Sequence, residues 1–252
     1  MTVKILEIDD NNSSNVFTNS SSVDSMSVTV RDGEKAFTEM LFEQMANGTK
    51  LLLDLGGGND SKAGLGYIRD SGLEFTYVIP VGNSLAQLQN ALDTYNMIGD
   101  PKNTIFAINQ VHDIKNIKEE FLFWFGSEEY GIEPFCEKVS KSKTIFIPFS
   151  PLFEIAAMNG LTIADLAEFS KGIPKDKSIS ILYKESGGDK ATFTKLSQQY
   201  KQSIRAAEYL DAFVTPIKEV FKNTKNIAVV STKGGVGKST ISWHLLNVAL
   251  KG

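Results

Sequence analysis

The chain has 252 residues, 42% of them hydrophobic, and a formal net charge of −4, enough apolar content to bury a full core, most simply as one α/β domain. No apolar run approaches the ~20 residues of a membrane span, and the start lacks the basic-then-apolar pattern of a secretory signal, so a cytoplasmic location is expected. The acidic balance excludes a broadly polycationic nucleic-acid binder; any such contact must be local and strongly salt-dependent.

In chain order, residues 3–9, Val-Lys-Ile-Leu-Glu-Ile-Asp, read as a strand ending in acids. Residues 13–24 are rich in Ser and Asn and read as a loop, since strand and helix signals resume directly afterwards. Residues 51–54, Leu-Leu-Leu-Asp, form a buried-type strand that delivers Asp54. Gly56, Gly57 and Gly58 follow, and they let the backbone come close to a ligand. Residues 74–81 and 104–109 read as buried parallel strands, with a helix from about residue 84 to 97 between them. Asn109 ends the second strand and is either a base-binding carboxamide or a turn cap. The aromatic run 121–125 is expected in the core, because large apolar patches are seldom left exposed. A strand at 144–148 leads into Ser150-Pro151-Leu152-Phe153.

A long helical stretch is expected from Asp189, a plausible N-cap, to Lys222, with Pro216 as a break. Its apolar positions Phe193, Leu196, Tyr200, Ile204, Ala207 and Leu210 recur mainly at 3–4 spacing. Lys195, Lys201 and Arg205 lie on or near the other face, as a DNA-contacting patch or as a solvated surface. His112, His244 and the single Cys136 show no ligand spacing, so these residues suggest no metal site. His244 reads as a packing residue and Cys136 as a small buried hydrophobe. One cysteine also excludes an internal disulfide framework.

The most specific signal comes late in the sequence. Residues 227–231, Ile-Ala-Val-Val-Ser, are a short β-branched run, and residues 239–250 have helical spacing, so Lys233-Gly234-Gly235-Val236-Gly237-Lys238-Ser239-Thr240 lies at a strand-to-helix turn. Glycines there let backbone N–H groups converge on an anion, and the helix start adds unpaired N–H groups and its positive dipole end. Lys238 would neutralise β/γ-phosphates, and the Ser239 hydroxyl would be a magnesium ligand.

The general phosphate-loop pattern has a glycine where Thr232 stands, and here Lys233 follows directly. In this the loop, residues 231–240, resembles the deviant Walker A loop of the ParA/MinD family of ATPases. The resemblance implies a three-layer P-loop fold, a mostly parallel sheet with helices on both faces, binding of ATP and Mg2+, hydrolysis to ADP and phosphate, and a two-subunit ATP sandwich. It implies that Lys233 reaches the partner's phosphates and Lys238 those of its own subunit, with Gly234, Gly235, Val236, Gly237, Ser239 and Thr240 completing the cradle. Asp54 becomes the Walker B acid, acting on magnesium through water, in a Walker B and switch II segment over 51–61. The strand at 3–9 is similar to the one whose D-x-D end holds the attacking water. Glu7 and Asp9 fit those positions in one register and Asp9 and Asn11 in another, so Asp9 is the expected water-positioning acid, with Asp10 as fallback, ahead of a switch I near 9–24. The family's proline after this motif is absent. Asn109 would contact adenine, and Ser150-Pro151 resembles the segment along the base. The resemblance covers about 226–252 and then 3–170 in family order, which makes the chain look circularly permuted. The D-x-G-G-G variant points to plasmid or DNA partition with an adaptor protein. A MinD-like membrane-cycling regulator and a nucleotide switch acting on a protein partner are the alternatives. The lack of C-x-x-C argues against iron–sulfur relatives sharing the loop.

Overall fold

The computed structural model describes residues 3–10, 17–20, 23–233 and 237–250, the last three of these by backbone only. Seven strands form one all-parallel sheet: β1 (Val3–Ile8), β2 (Val23–Val28), β3 (Lys50–Leu55), β4 (Thr76–Val81), β5 (Thr104–Val111), β6 (Lys143–Pro148) and β7 (Asn226–Val229), in the order β2-β1-β3-β7-β4-β5-β6. Parallel neighbours need long crossovers, and from β2 onward helices lie between successive strands: α1 (Val30–Asn47), α2 (Asn59–Ser71), α3 (Leu85–Ile98), the short α4 (Ile117–Glu120), α5 (Leu122–Phe125) and α6 (Phe135–Lys138), then α7 (Leu152–Met158), α8 (Ile163–Glu168), α9 (Ser178–Glu185), α10 (Lys190–Tyr209) and α11 (Thr215–Lys218), while α12 (Lys238–Leu250) follows the last strand.

The period-2 alternation of the strands sorts the core into two faces. Ile5, Leu52, Val78, Ile105, Ile147, Ile227 and Val229 share one core with Phe153, Ile163, Ala206 and Leu245 from α7, α8, α10 and α12. On the opposite face Leu6, Ile8, Leu51, Leu53 and Ala228 pack with α1 and α2, while Ile79, Phe106 and Ile108 pack with Leu88, Phe121 and Trp124. Phe121 and Trp124 are fully buried, as the aromatic run suggested. Central strands are covered on both sides and read as apolar runs.

The last strand in the sequence is central in space. β7 pairs with β3 from Leu51↔Asn226 to Asp54↔Val229 and with β4 from Thr76↔Ile227 to Val78↔Val229. The edge strand β2, Val-Asp-Ser-Met-Ser-Val, overlaps the stretch expected as loop: the segment around 13–24 gives way to strand at Val23. Its half-exposed, polar alternation suits an edge, and Lys4 of β1 holds it through Asp24 (Nζ to Oδ2, 3.0 Å) while also meeting Glu43 of α1.

The long helical stretch also departs from expectation. Asp189 caps α10, its carboxylate accepting from Thr192 N–H at 2.7 Å, but Pro216 does not end the run. Leu210–Val214 forms a π turn, in which the Thr215 N–H and hydroxyl both reach the Leu210 carbonyl, the hydroxyl at 3.2 Å. The wider turn lets Pro216, which has no N–H to place, sit at the start of α11. Cys136 is half-buried against the third core cluster. Among the described residues no helix is long and apolar enough to cross a membrane.

Candidate functional site

The site lies at the C-terminal ends of β1, β3, β7 and β5, where open parallel sheets collect ligands. Ser231, Thr232 and Lys233 follow the end of β7, and Gly237 immediately precedes α12. Gly234, Gly235 and Val236 lie outside the described residues. Gly237 has φ +81°, and a Cβ there would stand 2.1 Å from Asn109 Nδ2, so only glycine fits. Ile241 N–H closes the first turn of α12 on the Gly237 carbonyl at 3.0 Å. Lys238 is buried, Ser239 and Thr240 are half-buried, and Lys233 is exposed.

The loop is tied to its neighbours before any ligand enters. Gly58 N–H donates to the Thr232 carbonyl at 3.0 Å, and the Ser61 hydroxyl lies 2.5 Å from the Gly56 carbonyl and 2.8 Å from that of Ser231. Gly56 N–H in turn donates to the Ile8 carbonyl at 2.7 Å. A Cβ at Gly56 would stand 2.4 Å from Asp60 Oδ2. Gly56 therefore packs against the end of β1 and Asp60 with no room for a side chain, and Gly58 reaches the Thr232 carbonyl with a left-handed φ of 63° that favours glycine.

Strand alternation sets the acids. Glu7 follows Ile5 by two positions and Asp54 follows Leu52 by two, so both point to the α12 face, and Glu7↔Asp54 are register partners. Glu7 is 8% and Asp54 5% exposed. They line a recess with Ser239 and Ser242 of α12, residues three apart and so on one helix face. Burial, and then the neighbouring Glu7 charge, push the Asp54 carboxyl up to about 7, against the opposing pull of Lys238, Ser242 and Ser239. Ser242 favours the ionised Asp54, while its buried hydroxyl makes no hydrogen bond of ordinary geometry.

Two adjacent buried carboxylates, a half-buried serine and an unpaired hydroxyl suit a hard divalent cation. Among the described residues no three His, Cys, Asp or Glu side chains gather at ligand spacing, so Asp54, Ser239 and Glu7 would share such an ion with water and ligand oxygens.

The remaining expected residues divide. Asp9 stands just beyond β1, half-buried, its N–H on the Val28 carbonyl at 3.1 Å. Asp10 is exposed and its carboxylate is engaged elsewhere, accepting from the first N–H of α1 at Val30 (2.8 Å). Asn109 is 4% exposed, accepts from Gln110 N–H at 2.9 Å and lies against Gly237; Gln110 takes a left-handed φ of 59°. Lys195, Lys201 and Arg205 are all exposed on α10. Lys201 and Arg205, four apart, share a face, whereas Lys195 lies about 120° around the helix from Lys201. His244 is fully buried, its Nδ1 3.2 Å from the Tyr209 hydroxyl, and burial lowers its pKa to about 3; it packs and does not titrate near neutrality.

Comparisons with protein-family models, curated proteins and solved structures find no match to this chain.

Proposed function

We propose that the chain is a Mg2+-dependent ATPase of the ParA/MinD type, with a P-loop NTPase fold whose order is circularly permuted. The observation that carries this reading is the convergence of Lys238 and Ser239, at the start of α12, with buried Asp54 on the adjacent strand. The central position of β7, beside the strand that bears Asp54, supports the permutation. The neighbourhood of the two ends would test it further, but residues 1–2 and 251–252 lie outside the described residues.

In this account the triphosphate sits against the helix start, with Lys238 compensating its charge. Bound Mg2+ neutralises phosphate charge; Ser239 and Asp54 would hold it, with Glu7 beside them. Exposed Lys233 is available to a second subunit's nucleotide, so ATP closes a two-subunit sandwich and hydrolysis opens it. Asp9 is the proposed water-positioning acid, favoured over Asp10 because the Asp10 carboxylate already satisfies the start of α1. Partition of DNA, through an adaptor protein, is the proposed role, resting on the glycine-rich variant after Asp54 and on the exposed Lys201 and Arg205 pair.

Phosphate release with Mg2+ and ATP tests the chemistry. Lys238→Ala should abolish nucleotide binding, Lys233→Ala should lower turnover and dimerisation more than binding, and Asp9→Ala should accumulate an ATP-bound dimer. Wild-type protein without ATP-dependent phosphate release would reject the enzyme, and undiminished turnover in Asp9→Ala would move the water-positioning role elsewhere.

A further inference from the structure

We infer that Thr94 is a positioning residue that aims Lys233 by clamping Thr232, an inference resting on the function proposed above. Thr94 lies in α3 with 0% exposure, 138 residues before the loop it touches. Its hydroxyl accepts the Thr232 N–H at 3.0 Å and donates to the Asn90 carbonyl at 2.8 Å. The Thr232 hydroxyl donates to that same Asn90 carbonyl at 3.1 Å and lies 3.3 Å from the Thr94 hydroxyl. On its other side the Thr232 carbonyl accepts from Gly58 N–H at 3.0 Å.

All three hydrogen-bonding groups of Thr232 are thus engaged, two by α3 and one by the turn after β3. The next residue is the exposed Lys233, whose backbone is bracketed by the Ser231 side chain: the Lys233 N–H donates to Ser231 Oγ at 3.3 Å, and Ser231 Oγ donates to the Lys233 carbonyl at 3.0 Å. A flexible lysine whose head group must meet a second subunit loses less freedom on docking if its backbone is already fixed. A glycine at position 232 would lack the hydroxyl that ties this junction to α3. Thr232 therefore has a use that the common glycine cannot serve, and Thr94 is its buried counterpart.

Thr94→Val keeps the shape and removes the hydroxyl; Thr94→Ser keeps the hydroxyl. Two readouts apply. The first is the mobility of a spin label on Lys233→Cys in a Cys136→Ser background, which does not require the protein to be an ATPase. Thr94→Val should raise the label's mobility and Thr94→Ser should leave it as in the parent. The second is steady-state kinetics, where Thr94→Val should lower kcat about tenfold, the effect of one or two buried hydrogen bonds, with the affinity for a fluorescent ATP analogue within about twofold, and Thr94→Ser should restore kcat. Thr232→Val removes the partner hydroxyl and should produce the same split, which covers a Thr94→Val protein that does not fold. Unchanged label mobility, or losses of affinity that match the losses in kcat, would overturn the inference. A wild-type protein that fails to bind the ATP analogue while the label still responds to Thr94→Val would reject the proposed function and leave the clamp standing.

Discussion

Asp54 carries the clearest conflict between folding and chemistry. With its carboxyl raised from 3.8 to about 7, the native state holds a proton that the unfolded state has released across that window, so stability falls as pH rises from about 4 to 7 in the ion-free protein. Asp54→Asn removes one of the two carboxyl groups in the recess and should flatten this decline. Relief of about 2 kcal/mol would raise Tm at pH 8 by about 4–8 °C in a domain of this size, while magnesium-dependent turnover is lost. Thermal unfolding at pH 5 and pH 8 checks this; a variant less stable than wild type at pH 8 would show that Asp54 is needed by the fold itself. Gly237 offers a second case. Alanine there meets Asn109 Nδ2 and must hold a positive φ, so Gly237→Ala should cost roughly 1–3 kcal/mol in denaturant unfolding, and Gly237→Ala with Asn109→Ala should recover part of that loss.

At the level of elements, the central strands were readable because strands covered on both faces are apolar throughout: Leu51, Leu52 and Leu53 need no partner to declare themselves. β2 was not, since an edge strand with Asp24, Ser25 and Ser27 resembles in composition the Ser- and Asn-rich stretch before it. The π turn after Tyr209 depends on how Thr215 meets the Leu210 carbonyl, which no periodicity encodes. The same division runs through the site. Lys238, Ser239 and Asp54 were legible because their chemistry is local to short motifs. The motif at the end of β1 fits two registers in sequence, and that Glu7 stands opposite Asp54 shows only in the pairing of β1 with β3; Ser242, Ser61, Asn90 and Thr94 act through partners far away in sequence. The Ser239-x-x-Ser242 spacing was the one available hint. On α10, reversal of Lys201 and Arg205 to Glu should weaken ATP-dependent DNA binding in an anisotropy titration at low salt and reduce its salt dependence, while Lys195→Glu, on another side of the helix, should matter less. Equal effects from Lys195→Glu and from the Lys201 and Arg205 reversals would reject a directional patch, and phosphate release should be unaffected in each case.

For the molecule as a whole, the order of elements in sequence and in space differ. The strand leading to the glycine-rich segment before α12 comes last in the chain and lies in the middle of the sheet, so the candidate site is assembled from the first and last quarters of the sequence, with Asn109 and Thr94 bracing it from the middle. The central claim is that this junction holds Mg2+ and ATP and that Lys233 serves a second subunit. A crystal structure with a nonhydrolysable ATP analogue and Mg2+ tests it most directly. The expected result is phosphates against the start of α12 with Lys238, magnesium at Ser239 near Asp54, and a two-subunit assembly in which Lys233 approaches the nucleotide of the other copy. An analogue bound elsewhere, or a loop that stays empty at saturating analogue, would contradict it.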